Sequence, residues 1–189
     1  MRSKFFTIPL LLLIILILFG CAPKQMGRVL GTGYLYQTAE MKLEDAQMKK
    51  IEGQTEEAKK LTDQALEIFQ QIVQKEEPGS KYFSKAHYQI AGIYMSRFDW
   101  DNATQHYQTI VDVQAAGYLA GKSRSAIANI RKNRQIIDEN RTIYLNVPEE
   151  QKKDPKSEGY NKAARALQAM ADAYENLGSH GEAIKNYTE

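Results

Sequence analysis

The chain has 189 residues, with 25 Lys+Arg against 23 Asp+Glu. Arg2 and Lys4 supply that excess, so beyond the first 20 residues the chain is formally neutral and gives no electrostatic reason to expect nucleic-acid binding. Its single cysteine, Cys21, excludes an internal disulfide, a CxxC redox pair and a thiolate metal site.

The N-terminus reads as a targeting segment. After Arg2 and Lys4 comes an apolar stretch from Phe5 to Phe19, broken only by Thr7 and Pro9, and Leu18-Phe19-Gly20-Cys21 closes it. A basic start, a short apolar core and a small residue before the cut mark a secretory signal. The uninterrupted run Leu10–Phe19 is too short to cross about 30 Å of hydrocarbon as a helix. These residues resemble the lipobox of bacterial lipoproteins. The resemblance implies that residues 1–20 are removed and that Cys21 becomes the acylated first residue of the mature chain, carrying palmitate-type chains; an uncleaved signal anchor is the alternative. Residues 21–38, with Gly27, Gly31 and Gly33, then read as a flexible tether, and 39–189 as the folded part.

Along that part, apolar residues recur at helical spacing. Ala58, Leu61, Ala65, Ile68, Phe69 and Ile72 form one stripe, preceded by a turn at Gly53 and ended by Glu76-Glu77-Pro78-Gly79. Next, Ile90, Ala91, Tyr94 and Met95 predict a helix, Phe98-Asp99-Trp100 a break, and Ala103, Tyr107, Ile110 and Val111 a second helix with Asp99 as its N-cap. Ala120, Ser123, Ile127, Ile130, Ile137 and Tyr144 predict a long helix, with its narrow seam interrupted by Arg134 and Arg141. The charged, Pro-punctuated stretch 146–159 reads as a surface loop. Leu167, Met170, Ala171 and Tyr174, then Gly178-Ser179-His180-Gly181, then Ala183 and Tyr187 repeat the hairpin pattern of 84–117.

This recurrence resembles the tetratricopeptide repeat, a helix-turn-helix unit of about 34 residues. It implies an all-α solenoid with clear units at 84–117 and 164–189 and a degenerate unit between them. A weaker first copy around Gly53 and Ala58, with Lys49 and Thr62 in the aromatic slots, reads equally as a plain helical hairpin. The last unit's second helix, from Ser179 to Glu189, is expected to be too short to hold itself without a further segment or a partner over it.

The resemblance further implies a partner-binding concave face built from Lys85, Tyr88, Gly92, Met95 and Ser96 in one unit. In the other it implies Arg165, Gln168, Asp172, Glu175 and Asn176. Three histidines (His87, His106, His180) and the absence of HExxH, GxSxG or a Gly-rich phosphate loop give no catalytic or metal-binding set and call for no cofactor beyond the lipid. The run Lys122, Arg124, Arg131, Lys132, Arg134 and Arg141 reads as a solvated face or as pairing with the acid-rich helices between Glu40 and Glu77, with contact to anionic headgroups or an acidic partner as the alternative.

The expected function is a lipid-anchored scaffold that binds other envelope proteins, similar to outer-membrane assembly lipoproteins, with no nucleic-acid partner. Ala22 in place of an Asp after the cysteine favours the outer membrane, facing the periplasm. The alternatives are a peptidoglycan-associated or secretion-system assembly factor and an envelope hydrolase. In cells fed labelled palmitate, Cys21→Ser should abolish labelling and leave a precursor of full length; unchanged labelling would exclude acylation at this residue.

Overall fold

The computed structural model describes residues 31–114 and 116–188, so Cys21 and the signal segment lie outside the described residues. The described chain is all-helical, with no strand. In order, the helices are α1 (Thr32–Ile51), α2 (Thr55–Lys75), α3 (Lys81–Ser96), α4 (Trp100–Val113), α5 (Tyr118–Leu145), the single turn α6 (Glu149–Lys152), α7 (Glu158–Asn176) and α8 (His180–Thr188).

Three of the connections are the same turn. In each, the second residue after the helix adopts a positive φ: Gly53 (78°), Phe98 (61°) and Gly178 (75°). The next amide donates five residues back, Gln54 to the Lys49 carbonyl at 2.8 Å, Asp99 to Tyr94 at 3.0 Å and Ser179 to Tyr174 at 2.8 Å. This is a Schellman closure, which satisfies carbonyls that a helix end leaves unpaired. Four residues on from Gln54, Asp99 and Ser179 stand Ala58, Ala103 and Ala183, all buried, where the second helix crosses the first. The copy around Gly53 that was weak in sequence is therefore a hairpin with the same closure. The turns stand at positions 53, 98 and 178, farther apart than a 34-residue period allows.

Asp99 caps α4 as its sequence position suggested, accepting from the Asn102 amide at 3.2 Å. Ser80 and Ser157 do the same for α3 and α7 through the amides of Phe83 and Tyr160. The core has two parts. Tyr36 and Ala39 of α1, Phe69 and Ile72 of α2, and Ala86 and Ile90 of α3 form one. Ala91, Ala103, Tyr107, Ile110, Ile127, Ile130, Leu167, Met170 and Tyr174 join α3, α4, α5 and α7 into the other. Among the described residues the two parts meet at α3, which contributes Ala86 and Ile90 to one and Ala91 to the other.

Several sequence expectations need correction. Residues 32–38 are not tether: α1 begins at Thr32 and Tyr36 is buried. Gly33 is a packing residue, because a Cβ there would lie 2.7 Å from the Tyr82 phenol oxygen. The two clear units begin earlier than expected, since α3 starts at Lys81 and α7 at Glu158. Between them stands one 28-residue helix, α5, rather than a degenerate hairpin. The stretch 146–159 is more than loop. Val147 is buried, α6 forms, and Gly159 lies so close to Gln151 that a Cβ would meet its side chain at 2.6 Å. Residues 180–188 form α8, held by packing on α7 with Ala183 buried.

One helix in place of two has a topological consequence. α3 packs against both α1 and α5, placing those three in one row. α7 instead pairs with α5 and reaches α4 through Trp100 and Tyr174, whose ring centroids are 6.1 Å apart. No backbone contact joins α7 to α3 or to α4; its last turn meets the start of α4 through the Tyr174 and Trp100 side chains.

Left-handed backbone suits glycine and strains a Cβ-bearing residue by about 1–2 kcal/mol. Gly53→Ala and Gly178→Ala should each lower stability by about 1 kcal/mol, whereas Phe98→Gly should leave it unchanged or raise it by up to about 1 kcal/mol. Urea denaturation of the three variants checks this; a loss in Phe98→Gly comparable to the other two would refute a common strained turn.

Candidate binding groove

Where the α1–α2 hairpin meets α3, the packing leaves a groove of about 510 Å³. Polar bonds between helices hold its walls. Lys42 Nζ donates to Gln64 Oε1 at 2.6 Å, tying α1 to α2. Gln89 Nε2 donates to Tyr36 Oη at 3.1 Å and to Glu40 Oε1 at 3.3 Å, tying α3 to α1. Arg97 reaches back to Asp63 at 2.6 Å. Burial pushes the Tyr36 phenol up to about 12, so it stays protonated.

The floor is apolar, with Leu43, Ala46, Ala58 and Ile93, and the walls carry Gln47, Thr55, Thr62, Gln89 and Ser96. Lys50, Lys59 and Arg97 are the charged lining residues, and no carboxylate lines it. Gly92 lies in the floor, and a Cβ built on it would meet nothing within 4 Å. A helix-interior glycine costs roughly 0.5–1 kcal/mol relative to alanine. Gly92 carries that cost at an exposed position where a Cβ would fit, and it leaves the helix backbone accessible in the groove.

Of the predicted concave residues, Ser96 and Gly92 line this groove, and Ser96 also bonds its own helix at the Ile93 carbonyl, 2.7 Å away. Lys85 lies over the Tyr36 ring at 5.2 Å, Tyr88 packs edge-on against Tyr107 at 5.5 Å, and Met95 packs half-buried against the core. The α7 set lies elsewhere. Arg165, Asp172 and Glu175 are exposed, Gln168 lines a separate cavity of about 290 Å³ with Tyr144, Lys152 and Tyr160, and Asn176 bonds Asn129 and Asn133 of α5. The two predicted halves do not form one face, because α7 packs on the far part of the lone α5 and its backbone does not approach α3. Lys50, Lys59 and Gln89 were missed. The signal that points to them is Gly53, read as a full hairpin turn.

Two of the three histidines meet. His87 Nδ1 and His106 Nδ1 are 2.8 Å apart between α3 and α4, so one ring donates and the other accepts, which requires both tautomers. Phe83 and Tyr94 cover the outer ring faces, with centroids 4.5 Å from His87 and 5.6 Å from His106. Desolvation, and the neighbouring imidazole, hold His87 down to about 4; desolvation also lowers His106. Among the described residues no group of three or more His, Cys, Asp or Glu is placed to hold a metal ion.

The histidine pair sets a pH dependence. The folded state resists protonation of His87 while the unfolded chain takes up that proton near 6.5, so the associated stability is present above about pH 6.5 and is lost as pH falls toward 4. A shift of that size corresponds to about 3 kcal/mol. Urea midpoints should fall between pH 7 and 5 in the parent chain, and His87→Phe should flatten the decline; an equally steep decline would remove the pair as its cause.

Compared with protein-family models and with curated proteins, the chain finds no match in either.

Proposed function

We propose that this protein is a lipid-anchored, tetratricopeptide-like scaffold that binds other proteins in the bacterial envelope, held through Cys21 at the outer membrane and facing the periplasm. The observation that carries the reading is the groove between α1, α2 and α3, open over the exposed backbone of Gly92. An apolar floor with amide and hydroxyl walls suits a peptide segment, whose backbone needs hydrogen-bond partners and whose side chains need apolar contact. Three hairpins with one closure support a repeat-type scaffold, although their spacing departs from the regular period. The signal sequence and lipobox support the anchor. A binding role uses the described site as it stands, without an acid, base or nucleophile converging on it.

A photoreactive benzoylphenylalanine at position 92 tests this in intact cells, with the same residue at the exposed Lys132 of α5 as control. Irradiation should give discrete adducts from position 92 and not from 132. No adducts, or the same adducts from both positions, would refute the groove as a protein-binding site.

A further inference from the structure

The helices of the α1, α3 and α5 row all begin at the same end of the molecule. The Tyr82 phenol lies against Gly33 near the start of α1, and Gln114 Nε2, at the end of α4, donates to the Gly79 carbonyl before α3 at 3.1 Å. The rim so formed carries tyrosines and lysines. Tyr34 and Tyr118 are 53% and 73% exposed. Lys122 Nζ lies 4.7 Å from the Tyr118 ring centre, and Lys81 Nζ 5.9 Å from that of Tyr82.

Charge separates this end from the other. The first turns of α1, α3 and α5 contain no acid. α2, α4 and α7, which start at the opposite end, carry Glu56 and Glu57, Asp101, and Glu158 there. The rim also holds carboxylates that keep their charge, Glu76 accepting from Ser80, Asp112 accepting from Gln108 and the exposed Glu77, against Lys75 at the end of α2 and Lys81, Lys85 and Lys122. The basic run of α5 does not act as a block, since Arg134 pairs with Asp101 and Arg141 bonds the Tyr174 phenol.

The chain before Gly31 leaves from this same rim. Cys21 precedes Gly31 by ten residues, a reach of at most about 35 Å. Tyrosine favours the water–hydrocarbon boundary because its ring is apolar and its hydroxyl polar. Lysine can lay its stem along that boundary while its ammonium meets anionic headgroups.

We infer that the rim at the start of α1, α3 and α5 docks on an anionic phospholipid surface, so that the anchored protein stands end-on at the membrane. The groove is lined by Leu43 and Lys50 late in α1, Thr55 early in α2 and Ser96 at the end of α3, and therefore opens away from that surface. The inference rests on the anchored reading only for the nearness of a membrane; the rim needs no acyl chain to bind.

The test uses residues 21–189 with Cys21→Ser, which include every described helix and carry no acyl chain. Sedimentation is measured with vesicles of phosphatidylcholine alone and of phosphatidylcholine mixed with phosphatidylglycerol. Binding should require phosphatidylglycerol and weaken with added salt. Lys81→Glu combined with Lys122→Glu should weaken it by about tenfold or more, and Tyr118→Ser should weaken it without a change of charge. Lys59→Glu at the groove and Lys132→Glu on the outer face of α5 should leave it unchanged. No phosphatidylglycerol-dependent binding, or equal loss in the two control variants, would overturn the inference. So would rim-dependent binding of soluble poly-glutamate without vesicle binding, which would assign the rim to an acidic protein. Failure of the anchor reads out separately, as palmitate labelling that persists in Cys21→Ser.

Discussion

Helix α3 is buried on two sides, and most of the molecule depends on that. Ala86, Ile90 and Ile93 face α1 and α2, while Ala91 and His87 face the α4 side. The small side chains set the geometry. Ala86, Ala91 and Ala103 are fully buried, so the backbones approach closely and the large residues Phe69, Ile72 and Ile110 fill the space beside them. Interiors pack at crystal-like density, so enlarging any one of these alanines would move a helix rather than fill a void. The groove and the rim both draw on this one helix: the groove takes Gly92 and Ser96 from it, and the rim takes Lys81, Tyr82 and Lys85.

The single helix α5 has an effect out of proportion to its sequence. A second hairpin would have returned the chain to the row of α3 and continued one concave surface through α7. One long helix leaves α7 on the far part of α5, where Trp100 meets Tyr174 and Arg141 bonds the Tyr174 phenol. The connecting stretch around α6 then holds α7 in place through Val147, Gln151 and the Ser157 cap. The candidate groove is consequently confined to the first three helices, at the boundary where α3 closes the α1–α2 hairpin.

The two ends of the α1, α3 and α5 row differ in chemistry. At one end are exposed tyrosines and lysines without first-turn acids. At the other is a groove with an apolar floor, and the neighbouring helices that start there bring acids such as Glu56 and Glu57. Alternation of helix direction produces this polarity: antiparallel neighbours put the starts of α1, α3 and α5 at one end and those of α2, α4 and α7 away from it. The His87–His106 pair lies between them, buried where α3 faces α4, and couples the integrity of that hairpin to pH.

By itself the sequence determined the all-helical class, the stripes of α2 and α5, the Asp99 cap and the small residues Ala103 and Ala183 at the helix crossings. Those signals are local: side-chain periodicity, capping chemistry and the size allowed at a close approach act over one or two turns. The identity of the Gly53 closure with those at Phe98 and Gly178 was half legible, since a left-handed turn needs glycine twice and tolerates phenylalanine once. Tertiary structure decided the rest. Whether residues 32–38 are tether or helix depends on Tyr82 and Phe69, distant in sequence, packing on Gly33 and Tyr36. Whether α8 holds depends on α7 burying Ala183. Which residues share a face depends on counting helices across α5, and periodicity within one helix carries no information about the row it occupies. The groove of Lys50, Lys59, Gln89 and Gly92 was accordingly hidden, because it exists only where three helices meet.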